Sequence, residues 1–116
     1  MGAHALALES GECYVAVAAS QTEAVLTERV GTIIKRLIIF PTDPACGVVT
    51  LHDGKGTGNT DLFTWPGGVT TALLEELPIV LELGIRAVDT TGTLTSEGWC
   101  VTTGANLHVL AVVQKL

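Results

Sequence analysis

The sequence predicts an all-β fold, a small β-sandwich of about seven or eight mostly antiparallel strands with no more than one short helical turn. Its apolar runs are dominated by β-branched residues and threonine, as in TIIKRLIIF at residues 32–40, and such runs favour strands. Turn-forming residues separate these runs roughly every 8 to 12 positions, a spacing typical of sandwiches and barrels.

Each strand is expected where an apolar run lies between turn-forming segments. The expected strands cover residues 13–19, 32–40, 48–52, 62–65, 79–88, 99–102 and 107–113. Val25 and Leu26 form a short apolar pair between the first two of these strands. The proline-rich segment 41–47 and the Gly-Asn segment 103–106 are predicted to be hairpin turns. Residues 69–77 have the only helix-like spacing in the chain, and they form either one or two helical turns or a loop that crosses between sheets.

The strongest predicted strand contains two adjacent cations, Lys35 and Arg36. Because side chains alternate between the faces of a sheet, strict alternation would place one cation on each face. One of the two is therefore expected at a sheet edge, at a bulge or at a boundary between subunits.

A chain of 116 residues is large enough for one domain and its core. Residues 22–116 are predicted to form the β-sandwich, and residues 1–21 form an N-terminal arm or a first strand. Hydrophobic residues make up 47% of the chain and charged residues 16%, against about 25% charged in an average soluble domain. We therefore expect neighbouring subunits to cover part of the surface.

The charge distribution and the length of the apolar runs argue against two classes of partner, nucleic acids and membranes. The net charge is −6 and no basic cluster extends beyond Lys35 and Arg36, whereas direct nucleic-acid binding needs a basic surface. No apolar run approaches the roughly 18 to 20 residues that cross a bilayer, so no membrane span is expected. The start of the chain lacks the basic and long apolar regions of a secretory signal, which favours synthesis in a cytoplasm.

No cofactor, metal site or catalytic group is predicted, and we expect a protein that is not an enzyme. The three cysteines form no CxxC pair and each lies in or beside an apolar stretch, as expected of reduced structural thiols; they are Cys13, Cys46 and Cys100. The three histidines lack the spacing of metal ligands; they are His4, His52 and His108. The glycine-rich segment 53–61 has the wrong residue order for a calcium or phosphate loop and is predicted to be a hairpin tip.

The two tryptophans allow a different hypothesis, carbohydrate binding. Trp65 and Trp99 could stack on sugar rings, as aromatic side chains do in carbohydrate-binding sandwiches, or they could pack in the core or at an interface. Together with Lys35 and Arg36 they are the candidate interface residues.

Several segments between residues 31 and 114 resemble small virion structural proteins of tailed bacteriophages. The resemblance rests on RLIIFP, GVVTLHDGKG, PIVLELGIRA and GWCVTTGANLHVLAVVQ. It implies a β-sandwich that decorates or cements a capsid, with no catalytic residue. The implied partners are the major capsid protein and further copies of the chain, as a homotrimer. The implied location is the capsid surface of a virion, after synthesis in the host cytoplasm.

In this hypothesis the protein bridges capsid subunits on the outer surface and so stabilises the particle. The alternative is a tail- or fibre-associated carbohydrate-binding module that uses Trp65 or Trp99. A third hypothesis is a small enzyme assembled from scattered histidines and cysteines.

Overall fold

The computed structural model describes residues 12–27, 33–54, 60–76, 78–86 and 98–114. In these residues the chain forms eight strands and one four-residue helix. The strands are β1 (Glu12–Val17), β2 (Ala24–Thr27), β3 (Ile33–Pro41), β4 (Val49–Asp53), β5 (Thr60–Trp65), β6 (Ile79–Arg86), β7 (Trp99–Thr103) and β8 (Leu107–Gln114). The helix is α1 (Thr71–Leu74). The all-β prediction is confirmed.

The strands form two four-stranded sheets, in the order β1-β8-β3-β6 and β2-β7-β4-β5. Every neighbouring pair is antiparallel. Successive strands lie in opposite sheets, with the exception of β4 and β5, which pair with each other. Two packed sheets with this strand order form a jelly roll, one of the ways in which an antiparallel chain closes around a core.

Both hairpins predicted from turn chemistry at 41–47 and 103–106 are wrong. The first segment leads from β3 to β4 and the second from β7 to β8, and each pair is divided between the two sheets. A strand has two hydrogen-bonding edges, and those of β3 are taken by β8 and β6, while those of β7 are taken by β2 and β4. The next strand in the chain therefore crosses to the other sheet.

The connector between β5 and β6 combines the two alternatives expected for residues 69–77. It crosses from the second sheet to the first and contains the single turn α1. The hydroxyl of Thr70 caps this turn by accepting a hydrogen bond from the Leu73 amide at 3.0 Å. No helix among the described residues is long and apolar enough to span a bilayer.

The core fills the space between the two sheets. It is built from aliphatic residues around Trp99, which has no exposed surface. The largest fully buried side chains around it are Ile34, Leu37, Ile39, Leu51, Leu107, Val49, Val101, Val109 and Val113. All three cysteines are free thiols; Cys46 and Cys100 are buried and Cys13 is half-buried.

Three connectors meet backbone to backbone at one end of the sandwich. The Gly47 amide donates a hydrogen bond to the Ala105 carbonyl at 2.8 Å. A Cβ on Gly104 would lie 2.6 Å from the Gly47 Cα, and a Cβ on Gly67 would lie 2.5 Å from the Gly47 carbonyl oxygen. Glycine is therefore required here because the chains approach too closely for any side chain.

A bulge in β3 accommodates the two adjacent cations. Ile34 lies opposite Val113 and Arg36 lies opposite Val112, so β3 has one extra residue, Lys35, relative to β8. Of the three situations expected for this pair of cations, the structure has the bulge.

The segment assigned to an arm or a first strand contains β1, whose residues 12–17 pair with β8. Residues 1–11, including His4, lie outside the described residues. The expected hairpin tip joins β4 and β5, which do pair, but residues 55–59 also lie outside the described part of the chain.

Candidate functional site

The outward surface of the first sheet, which we call face 1, contains an apolar row that crosses all four strands. The strand register aligns Ala16 of β1 with Leu110 of β8, Ile38 of β3 and Val80 of β6. Their neighbours along each strand point into the core. Ala16 is exposed, Leu110 and Ile38 are half-buried, and Val80 is 45% exposed. Face 1 therefore presents a band of hydrocarbon to solvent.

A second row of face 1 aligns Tyr14, Val112, Arg36 and Glu82. Val112 has no exposed surface although it is not part of the core between the sheets, and its neighbours in the adjacent strands are Tyr14 and Arg36. Arg36 Nε donates a hydrogen bond to Glu82 Oε1 at 3.3 Å. The two charges of this row therefore lie together at the β6 edge.

Two further features complete face 1. The rings of Phe40 and His108 stack with their centroids 4.8 Å apart and an interplanar angle of 11°. At the bulge, Lys35 Nζ lies 3.7 Å from Glu12 Oε2, and the Glu12 side chain is only 6% exposed. The charges of the two ion pairs, Lys35–Glu12 and Arg36–Glu82, cancel.

The outward surface of the second sheet, face 2, has a different composition. Its register aligns Thr102 of β7, Thr50 of β4 and Thr64 of β5 in one row. The hydroxyls of Thr50 and Thr64 are hydrogen-bonded to each other at 3.2 Å. Face 2 thus satisfies part of its own hydrogen-bonding capacity across neighbouring strands.

A chain of three polar side chains crosses face 2. His52 Nδ1 lies 2.6 Å from Asp61 Oδ1, and His52 Nε2 lies 2.7 Å from Thr102 Oγ1. Thr102 Oγ1 also accepts a hydrogen bond from the Glu23 amide at 3.0 Å. These contacts connect β5, β4 and β7 with the residue before β2.

The order carboxylate, imidazole and hydroxyl occurs in hydrolases, where the hydroxyl is the nucleophile. With His52 Nδ1 donating to Asp61, Nε2 accepts from the Thr102 hydroxyl, whose oxygen also receives the Glu23 amide. The proton and one of the two lone pairs of that hydroxyl are thus used in contacts with β4 and with the residue before β2. We therefore interpret the group as a cross-strand clamp.

Sequence reasoning did not find this clamp. His52, which was considered from the sequence as a metal ligand, is buried and hydrogen-bonded on both sides. The separations of 9 and 50 residues to its partners match no local motif. The pairing of β4 with both β5 and β7 brings the three side chains together.

The four candidate interface residues do not form one site. Lys35 and Arg36 lie on the first sheet and take part in ion pairs. Trp65 is half-buried and packs against the core. Trp99 lies in the core and not on a surface, because this side chain of β7 points into the space between the two sheets. Neither a protein nor a sugar can reach its ring in the folded chain.

The described residues contain no group of three or more His, Cys, Asp or Glu side chains that could hold a metal ion. His52 and His108 lie on opposite outer faces, on β4 and β8. The surface aromatic residues that sequence reasoning missed are Tyr14 and Phe40, and their alternation along β1 and β3 was the available signal.

Fold and surface together define a jelly-roll sandwich. One outer face has an apolar row beside two ion pairs, and the other has a row of hydrogen-bonded polar side chains. No protein-family model matches the chain, and no curated protein matches it. Among solved structures, the coat protein of Tobacco streak virus is similar at 11% identity and a TM-score of 0.35, covering 96% of this chain and 90% of that one. A CBM4 structure is similar at 16% identity and a TM-score of 0.36, covering 89% and 80%. Neither TM-score is high enough to assign a family or a function.

Proposed function

We propose that this protein is a virion structural protein of the capsid decoration or cement type, which docks on the outside of a capsid through face 1. The observation that carries the proposal is the apolar row Ala16–Leu110–Ile38–Val80, which extends across a whole sheet and is open to solvent. Extended apolar surface of this kind marks a site of interaction. The resemblance of the strand and turn segments to phage virion proteins supports the choice of a capsid as the partner.

The area of face 1 is suited to weak attachment of each copy at many equivalent positions on a capsid. Four strands about 4.8 Å apart and about six residues of about 3.3 Å each give a footprint of roughly 400 Å². A standard protein interface buries about 800 Å² per partner. One face is thus too small for tight binding by itself, and attachment at many equivalent lattice positions suits it better.

Charge supports an outward position for the remaining surface. The two ion pairs of face 1 cancel, so docking does not bring an unbalanced charge against the capsid. The chain as a whole carries a net charge of −6, which repels packaged DNA and favours the exterior of the shell.

The docking surface is tested by a matched pair of substitutions. Val80 on face 1 and Val25 in β2 are 45% and 47% exposed, and both lie on edge strands. Val80→Lys is expected to lower co-sedimentation with decoration-free particles by about tenfold or more, because a lysine would be buried against the capsid. Val25→Lys is expected to bind as the wild-type protein does. Equal binding by both variants, both shown to be folded, would overturn the proposed face.

The cementing role is tested on particles. Particles that lack the protein are expected to release DNA at a lower temperature than complete ones. When the salt is lowered, they are expected to release DNA at a higher salt concentration than complete ones, because weaker screening raises the internal pressure. Adding back the wild-type chain, but not Val80→Lys, is expected to restore the higher temperature. Identical release curves for complete and deficient particles would contradict cementing even if binding is observed.

A further inference from the structure

Strand β1 differs from the other edge strands in the described residues. The edges of the two sheets are β1, β6, β2 and β5. β1 pairs with β8 through six consecutive residues, from Glu12 opposite Gln114 to Val17 opposite Val109, without a register shift. The pairings of the other edge strands each contain a shift, and β6 also contains Gly84 at a φ of +67°. Such irregularities hinder pairing with another chain.

The composition of β1 also leaves its edge suited to pairing. Residues 13–17, CYVAV, contain no lysine, proline or glycine, the residues that natural edge strands use against further pairing. The charge of the strand is confined to Glu12 at its start, which is held by Lys35. A regular, apolar edge strand presents a row of backbone donors and acceptors that another strand can complete.

We propose that β1 pairs with β1 of a second copy, antiparallel about a two-fold axis at Val15. In such a pair the cores of both copies lie on the same side of the joined sheet only if odd-numbered residues lie opposite odd-numbered ones and even-numbered residues lie opposite even-numbered ones. Val15 then lies opposite its own copy, Tyr14 opposite Ala16, and Cys13 opposite Val17. The largest side chain of the strand, Tyr14, thus lies beside the smallest, Ala16. Cys13 and Val15, the half-buried residues on the core side of β1, become covered in each copy.

Charge selects this arrangement over a parallel one. A parallel pair would place the two Glu12 carboxylates side by side. The antiparallel pair separates them by six residues, or about 20 Å, well beyond the screening length of about 8 Å at physiological salt. The self-complementary surface of a two-fold pair is the commonest form of subunit interface.

The pairing would also enlarge face 1. Ala16 of one copy would continue the row that contains Tyr14 of the other, so two sheets of four strands would become one of eight. The footprint of face 1 would double to roughly 800 Å², the size of a standard interface. This consequence rests on the proposed function, whereas the pairing itself does not.

The pairing is tested with the full-length chain by sedimentation equilibrium over a range of concentrations. We expect a reversible dimer, in place of the homotrimer that the resemblance to phage virion proteins implies, because a two-fold antiparallel pair of β1 strands joins two copies. Ala16→Lys is expected to raise the dissociation constant at least about tenfold, because it places a lysine on the pairing edge. Val80→Lys, the same change at the other end of the same row, is expected to leave the constant within about twofold. Equal weakening by both would overturn edge pairing and assign association to face 1.

The register is tested by cross-linking. Directly opposed residues of antiparallel strands have Cα atoms about 4.5 to 5.5 Å apart, within the range of a disulfide. The double variant Cys13→Ser, Val15→Cys is expected to form a disulfide-linked dimer on mild oxidation, and Cys13→Ser alone is not. A folded double variant that stays uncross-linked, or a wild-type chain that is monomeric or trimeric at all concentrations, would overturn the proposal. Particle binding is measured separately, so failure here leaves the proposed function to its own tests.

Discussion

Face 1 and face 2 are equivalent positions of one fold, yet they have opposite chemistry. Both are formed by the alternate residues of a four-stranded sheet whose other residues build a shared core. Face 2 has threonines and the clamp of Asp61, His52 and Thr102, which satisfy one another across strands. Face 1 has an apolar row across its whole width.

This difference concerns how the apolar surface is arranged. Removing apolar surface from water gains about 25 cal/mol for each Å². The large hydrophobic residues that are exposed in the described part of the chain are Val80 on face 1, Val25 on face 2, and Val48 and Leu73 in the connectors. Face 1 is the face on which apolar residues form a row across all four strands.

The largest expected effect on the free energy of unfolding comes from the place where the three connectors meet, at Gly47, Gly67 and Gly104. Gly67 and Gly68 both have positive φ, +78° and +70°, but a Cβ on Gly67 would lie 2.5 Å from the Gly47 carbonyl oxygen and one on Gly68 would meet nothing within 4 Å. Gly67→Ala is expected to lower the free energy of unfolding by about 2–4 kcal/mol through strain and overpacking. Gly68→Ala is expected to cost about 1–2 kcal/mol, from the backbone conformation alone. Urea denaturation measures both, and equal costs would show that the connectors do not lock the sheets.

The next largest effect on stability is expected for the histidine of face 2, His52, compared with the histidine of face 1, His108. His52→Ala is expected to destabilise the chain by about 1–3 kcal/mol, because a buried ring loses two hydrogen bonds. His108→Ala on face 1 is expected to cost about 0.5–1 kcal/mol, since it removes one exposed stacking contact with Phe40. Thermal unfolding of both variants checks the order. If His108→Ala were the more harmful, face 2 would not be the self-satisfied face.

A smaller effect separates the two ion pairs of face 1. Lys35→Met removes one ion-pair partner of a carboxylate whose side chain is 6% exposed, and about 1–2 kcal/mol of destabilisation is expected. Arg36→Met removes the partner of a carboxylate that is 69% exposed, and a loss of about 0.5 kcal/mol or less is expected. Chemical denaturation at low and high salt compares them. A larger loss for Arg36→Met would contradict the ranking by burial.

The smallest effect on stability is expected from exchanging the chemistry of the two faces. Ile38→Thr polarises face 1 and Thr64→Val makes face 2 more apolar; each is expected to change the free energy of unfolding by about 1 kcal/mol or less, because neither side chain is fully buried. Solubility in ammonium sulfate should move in opposite directions, upward for Ile38→Thr and downward for Thr64→Val. A shift in the same direction for both would remove the contrast between the faces.

Local rules predicted most of the strands and the pairing of β4 with β5, but they predicted the wrong pairing at the turns 41–47 and 103–106. The strand expected at residues 32–40 is observed at Ile33–Pro41, since dense β-branched residues leave little choice of conformation. The hairpin expected at 103–106 fails although Asn106 adopts the positive φ of a turn, +60°, because that conformation does not select the sheet of the next strand.

The candidate site depends even more on long-range contacts. The pairs Lys35–Glu12 and Arg36–Glu82 join residues of different strands, and nothing in the local pattern of β3 specifies either carboxylate. The same holds for Trp99, whose amphipathic ring is compatible with a core or an interface until the strand orientation is known.

The sequence by itself determined the fold class, the positions of most strands and the need to cover apolar surface, because these follow from composition and from the period of side-chain alternation. Only the tertiary structure decided which strands pair and which side of each strand faces outward. It therefore decided that an apolar row crosses face 1 and that a hydrogen-bonded polar row crosses face 2. Hydrogen bonding between strands joins residues as far apart as Glu12 and Gln114, and no local preference encodes that choice.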